Sequence, residues 1–403
     1  MPALTDELIL KLPKTDLHVH LDGSLRIPTL IELAKQRNIK LPSYTVEGLR
    51  ELVFKDTYKS LPEYLEGFVY TTAVMCDAEA IERIAYEFCL DNQAEGVRYV
   101  EVRFAPQLSV RDGFTMTEVV KAVDRGLRRA AQEFNARPEV SDGREPKFVA
   151  GMILCAMRHF EGTWSQGFSR FFDAMPEADR FELYSTASVE VARAAVRLRD
   201  EGCLVVGIDL AGQEKGYPAG DHKHAYQIAH EAFLGKTVHA GEDYGPESIF
   251  QALGDLHADR IGHGTWLFSE DRIEAHISDR HAYVESLVEY IADKRITLEV
   301  CLTSNQQTVP ELADLSRHPF AEMRKRKLST TFCTDNRLVS NTTVSNEIGR
   351  AVKAFDLTTR EVRDSLIYGF KRSFFPGSYL EKRQYVRQVI DYADRILGKT
   401  ESS

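Results

Sequence analysis

Along its length the chain repeats one pattern: a short apolar or β-branched run, then a longer stretch whose apolar residues recur every three or four positions. The runs are Thr15–His20, Val97–Phe104, Phe148–Ala156, Leu204–Asp209, Thr237–Ala240, Arg260–His263, Thr297–Val300 and Thr330–Thr334. Each is followed by enough chain for a crossover helix, which predicts an α/β fold, a (β/α)8 TIM barrel. The longest gap separates the first two runs. Additional helices are therefore expected between strands 1 and 2, roughly over 25–95, and at the C-terminus, roughly over 345–397 with a break at Pro376-Gly377. The whole of 1–403 then reads as one elaborated barrel domain. In the first insertion Leu61, Tyr64, Leu65 and Phe68 share one helical face. That face either packs on the barrel, the plainer reading, or roofs a binding site as a lid. The polar stretch 135–146 carries Pro138 and Pro146 and predicts a surface loop before the third strand.

Composition narrows the function. With 51 Lys+Arg against 61 Asp+Glu the net charge is −10, which disfavours nucleic acid and anionic membrane as partners. The basic run Arg324–Lys327 is expected to cap the end of a surface helix. Met1–Glu7 has no basic and apolar leader pattern, and no apolar run reaches about 18 residues, so a soluble, cytoplasmic protein is expected. Six widely spaced cysteines without a CxxC pair read as buried, reduced thiols.

The strongest local signal is His18-Val19-His20. On a strand, side chains alternate faces, so both imidazoles point to one side and Leu17, Val19 and Leu21 to the other. His222-Lys223-His224 has the same spacing in a helical pattern; there the two rings diverge and are expected to be solvated. Gly235-Lys236-Thr237 imitates the end of a phosphate loop, but the required earlier glycine is His230. Three further strand ends carry polar groups: His239 with Glu242, His263, and Asp335 with Asn336. An unpaired imidazole or carboxylate in an apolar barrel is costly, so their clustering calls for a compensating cation. His18, His20, His239 and Asp335 form an N3O set suited to Zn2+, one per chain, with Glu242 and His263 free to move protons.

Leu12–Ser24, Glu95–Arg103, Gly207–Gly212, His239–Glu242, Arg260–Gly264 and Thr334-Asp335, in that order, resemble the adenosine deaminase family of the metal-dependent amidohydrolases. The resemblance implies zinc on His18, His20, His239 and Asp335, with Asp335 also among the catalytic groups. It implies that Glu242 protonates purine N1 and that His263 orients or deprotonates the attacking water. Gly212 would donate its N–H to purine N3, and Asp22 would hold the ribose 5′ hydroxyl. Zinc lowers the pKa of a water from 15.7 to about 7, which makes hydrolysis at purine C6 feasible near neutrality.

One position departs from the family pattern: Asn336 stands where a second aspartate usually faces purine N7. An amide can donate to that acceptor at any pH. The expected function is hydrolytic deamination of adenosine or 2′-deoxyadenosine, with Leu61, Leu65 and Phe68 as candidate substrate contacts. The alternatives are another 6-aminopurine (adenine, a 5′-modified adenosine or an N6-substituted nucleotide) and a non-catalytic nucleoside-binding barrel. Asp22 favours a free 5′ hydroxyl over a phosphate.

Overall fold

The structure, a computed structural model, describes residues 4–274 and 276–398. Its eight strands are β1 (Lys14–His20), β2 (Val97–Phe104), β3 (Val149–Met157), β4 (Val205–Ala211), β5 (Gly235–Ala240), β6 (Arg260–His263), β7 (Thr297–Val300) and β8 (Ser329–Phe332). They pair in parallel in sequence order. A parallel bridge from Val19 to Asp335 brings the end of β8 back to β1. Every run read from the sequence overlaps a strand, with Phe148, Leu204, Cys333 and Thr334 falling just outside the strand ends. Both faces of such a sheet are covered, so its strands read as near-continuous apolar runs rather than alternating ones.

Five helices intervene between β1 and β2: Ile27–Gln36, Val46–Leu52, Leu61–Leu65, Phe68–Val74 and Ala78–Ala94. The single helical face expected over 61–68 is thus split into two short helices. The C-terminal addition is Val344–Phe355, Thr359–Arg372 and Tyr379–Ile396. Besides the expected break at Pro376-Gly377 it has one at Asp356, which is left-handed at φ 49°, before a capping box formed by Thr358 and Glu361. The loop expected over 135–146 contains a short helix, Pro138–Ser141, because a proline fits the first helical turn. His222 is also corrected. It ends a 3-10 turn rather than facing water, is 1% exposed, and its Nδ1 lies 2.7 Å from Ser188 Oγ. Arg324 and Lys325 do end a helix, Phe320–Lys325. The six cysteines are free, with Cys76 and Cys203 half-buried rather than buried.

The barrel interior is not the apolar filling expected. Arg103 on β2 donates to Glu299 Oε2 (2.9 Å) and Asp209 Oδ2 (3.0 Å). Arg260 on β6 donates to Glu299 Oε1 (2.6 Å) and Glu101 Oε2 (2.5 Å), and Tyr99 OH donates to Glu101 Oε1 (2.8 Å). These charged side chains are 0–1% exposed. Ionised groups persist there because each is paired and hydrogen-bonded. Removing one partner leaves the others charged without compensation. Arg103→Met is therefore expected to lose about 3–5 kcal/mol of stability. Denaturant unfolding checks this, and an unshifted midpoint would contradict it.

Candidate active site

The C-terminal ends of β1, β5, β6 and β8 deliver the polar cluster. The rings of His18 and His20, on one side of β1, have centroids 5.5 Å apart, and that of His239 lies 4.5 Å from His18. Asp335 Oδ1 is 3.5 Å from His18 Nε2 and 3.6 Å from His20 Nε2, and His20 Nε2 is 3.1 Å from His239 Nε2. Ligand atoms of His18, His239, His263 and Asp335 all lie within 4.8 Å of one another. Asp335 and His263 have positive φ, 58° and 64°, uncommon for residues with a Cβ. Asp335 is held there from both sides: its N–H donates to His18 O (2.8 Å), and its carbonyl accepts from His20 N (2.7 Å). Thr334 anchors the same turn by donating its hydroxyl to buried Asp16 (2.5 Å). Gly262 makes room for the cluster, since a Cβ there would lie 2.9 Å from His18 Cε1.

Five candidate ligands crowd this point, and hydrogen bonding sorts them. His18 Nδ1 lies 2.9 Å from Glu299 Oε2, and His239 Nδ1 lies 3.0 Å from Asp209 Oδ2. A carboxylate accepts, so the His18 ring carries its proton on Nδ1 and turns Nε2 inward, whereas His239 Nδ1 only faces the Asp209 carboxylate without the alignment of a hydrogen bond. His263 is the opposite case. The Phe320 N–H donates to His318 Nδ1 (3.1 Å), so neutral His318 carries its proton on Nε2 and donates to Asn305 Oδ1 (3.2 Å). That turns the Asn305 Nδ2 donor to His263 Nδ1 (3.0 Å), leaving the His263 proton on Nε2, 3.5 Å from Glu242 Oε1. His263 thus presents a donor to the site rather than a lone pair. His18 Nε2 is buried with no hydrogen-bond partner, as an atom awaiting a cation would be. The donor set of His18, His20, His239 and Asp335 fits a divalent metal such as zinc.

Charge separates the carboxyl groups. Burial works against ionised Asp335, but the adjoining imidazoles, His18 first, hold it well below the usual carboxylate range. Burial, reinforced by Asp335, Glu214 and Asp243, pushes Glu242 well above it, which favours its protonated form. Burial also holds the imidazoles of His20, His239 and His263 below their ordinary value, hence neutral. Two carboxyls with divergent proton affinities in one cavity are the arrangement used for acid and base roles.

A cavity of about 730 Å3 opens above the cluster. Among the residues singled out from the sequence, His20, Asp22, Leu61, Leu65, Phe68, Gly212, His239, Glu242, Asp335 and Asn336 line it. Leu61, Leu65 and Phe68 therefore border the cavity as well as packing on the core. Asp22 is 4% exposed, and burial raises its carboxyl to about 7. Gly212, at φ 98°, directly follows β4. Asn336 Nδ2 donates to Tyr64 OH (2.8 Å), which in turn meets Ser340 Oγ (2.7 Å).

Sequence reading gave no role to the groups that aim these side chains. Glu214 is the clearest. Its carboxylate, 4% exposed, accepts the N–H of Gly241, Glu242, Asp243 and Tyr244 at 2.8–3.0 Å, and also the Ser248 hydroxyl. Buried Arg158 ties the His239 carbonyl (2.7 Å) to that of Tyr217 (2.6 Å). No sequence signal marks either residue, because each acts through backbone atoms of a distant loop.

The donor set divides the labour in a testable way. His18→Ala is expected to lose the divalent metal, whereas Glu242→Gln keeps it. Metal analysis of the purified variants checks this, and equal loss from both would contradict it.

The family model for adenosine deaminase matches residues 13–179 and 180–392. An adenosine deaminase of Mycolicibacterium vanbaalenii is 34% identical over 389 residues, 96% of each chain. A probable adenosine deaminase of Dictyostelium discoideum is 33% identical over 92% of this chain, which spans 42% of that longer protein. The solved apo structure of an N6-methyl-AMP deaminase from Arabidopsis thaliana superposes with a TM-score of 0.73 at 25% identity, covering 97% of this chain and 99% of the other. Strand order, donor set and relatives agree: the chain is a hydrolytic deaminase belonging to the adenosine deaminase family.

Proposed function

We propose that the protein deaminates adenosine and 2′-deoxyadenosine to the corresponding inosines, with one zinc ion on His18, His20, His239 and Asp335, and that the whole chain works as one deaminase barrel. The observation that carries the reading is the buried Glu242 carboxyl, 3.5 Å from His263, beside the metal-type cluster in one cavity, where burial favours its protonated form. Zinc, when bound, lowers the pKa of water so that a nucleophile forms near neutral pH.

The chain's own groups do the rest. Glu242 gives its proton to purine N1, absorbing the negative charge that attack at C6 drives into the ring. His263, with its proton on Nε2, orients the attacking water by donating to its oxygen. The water oxygen bonds to C6; one of its protons returns to the Glu242 carboxylate and the other passes to N6, so that the C6–N6 bond breaks with N6 leaving as ammonia. The Gly212 N–H pairs with N3, the second Asn336 Nδ2 proton with N7, and Asp22 with the 5′ hydroxyl. Asn336 needs no protonation for this, unlike a carboxyl group. Leu61, Leu65 and Phe68 cover the bound nucleoside and exclude water. As candidate partners, nucleic acid and membranes are set aside on net charge; no helix among the described residues is long and apolar enough to cross a membrane.

Ammonia release from adenosine, 2′-deoxyadenosine, adenine, AMP and 5′-methylthioadenosine by zinc-loaded protein tests the assignment. Turnover of the first two is expected; turnover of adenine alone, or of none, would overturn it. Glu242→Gln should lower kcat by about 10²–10⁴-fold, the scale of a lost general acid; near-normal kcat would remove Glu242 from its role. Glu214→Gln replaces a pure acceptor of four N–H groups by a group that also donates, so it should displace the Glu242 loop. The expected cost is about 10²-fold in kcat with little change in KM. Steady-state kinetics decide, and a change confined to KM would contradict the positioning role.

A further inference from the structure

A second cavity, of about 780 Å3, opens at the opposite end of the barrel, beside the starts of β4 and β5 (Val206, Gly235) and just before β6 and β7 (Asp259, Ile296). It shares no lining residue with the deaminase cavity, and its volume is that of a small-molecule site. Its charge is one-sided. Lys236, Lys294, Arg295, Lys371, Arg372 and Lys382 line it, and the one carboxylate among its described lining residues, Asp259, pairs with Lys236 (2.9 Å). The other five cations make no ion pair with a described residue, in a chain whose net charge is −10. Glu101, whose charge reaches Lys382, is held by Arg260 and Tyr99.

Helix ends explain part of this charge. Lys294, Lys371 and Arg372 lie in the last turns of Arg280–Lys294 and Thr359–Arg372, where cations complement the helix dipole. Lys382 does not fit that account, because it sits near the N-terminus of Tyr379–Ile396, where a cation opposes the dipole. Arg372 fits it only in part: its Nε is buried with no hydrogen-bond partner, and burial and the Arg295 charge both work against its proton. The backbone adds a second sign. Phe233, His257 and Arg295 all line this cavity and have φ of 57°, 53° and 53°, a region where glycine is the cheaper residue. Three side chains are thus kept there against backbone preference. Phe233, 94% exposed, holds a ring at the rim, while Arg372 and Lys382 are half-buried.

We propose that this cavity binds a small phosphoryl anion, free or carried on a nucleotide. The guanidinium forks of Arg295 and Arg372 suit its paired oxygens, and it brings the negative charge that the described lining residues lack. A base attached to it would meet the Phe233 ring. Calorimetry of the zinc-loaded full chain with pyrophosphate, CTP and cytidine tests this; a pyrimidine nucleotide is used because the deaminase cavity is read as a purine site. Pyrophosphate or CTP should bind one per chain, at least about tenfold more tightly than cytidine, and saturating inosine should leave that affinity unchanged. Arg295→Gly should weaken the anion about tenfold, the scale of a charge-assisted hydrogen bond. Its unfolding midpoint and adenosine turnover should hold, because glycine suits the left-handed backbone. Loss of CTP affinity but not pyrophosphate affinity in Phe233→Gly assigns a nucleotide; affinities unchanged in that variant assign the free anion. Binding of neither anion, displacement by inosine, or an affinity indifferent to Arg295→Gly would overturn the proposal.

Discussion

Everything at the rim of this barrel depends on the paired charges beneath it. Glu299 is the hub: its two oxygens accept from Arg103, Arg260 and Thr237, and one of them also meets His18 Nδ1. Arg103 extends the same network to Asp209, which faces His239 Nδ1. Burial alone would favour neutral carboxyls, but Arg103 and Arg260 keep Glu299, and His239 with Arg103 keeps Asp209, well below the ordinary carboxylate range. Ionised Glu299 then fixes the His18 proton on the side away from the cavity, and ionised Asp209 faces His239 on that side. The metal-type cluster is thus a consequence of ion pairing two residues deeper in the barrel.

The same economy separates the two proton-handling groups. His263 belongs spatially with the other imidazoles, yet the backbone N–H of Phe320 reaches it through His318 and Asn305 and assigns it the opposite tautomer. Glu242 sits on a loop gathered by the Glu214 carboxylate, whose charge also favours the protonated form of Glu242. Glu214 therefore positions the acid and adds to the burial and the Asp335 charge that favour its protonated form. Short helices, Leu61–Leu65 and Phe68–Val74, border the cavity on the side away from these charges.

The sequence displayed the strands and the cluster well, for physical reasons. Strands covered on both faces are rich in apolar and β-branched residues, so β2, β6 and β7 could be bounded as observed, and His18-Val19-His20 stands out because two imidazoles interrupt such a run. Long-range pairing was hidden. Glu299 and Arg260 look like ordinary strand-end charges until the barrel closes, and Glu214 looks like any loop acid. His222 misled because its burial comes from a turn before the helix rather than from the helical periodicity itself. Tyr64 was visible as part of an apolar stripe, but its hydroxyl's contact with Asn336 needed the fold.

Four side chains, His18, His20, His239 and Asp335, are placed to offer lone pairs to one ion, while His263, equally close, is placed to offer a proton. Anomalous diffraction at the zinc edge from crystals of the metal-loaded protein tests this directly. The account requires one peak bonded to His18, His20, His239 and Asp335, with His263 outside bonding distance. A peak bonded to His263 in place of one of these, or no peak within the cluster, would contradict it.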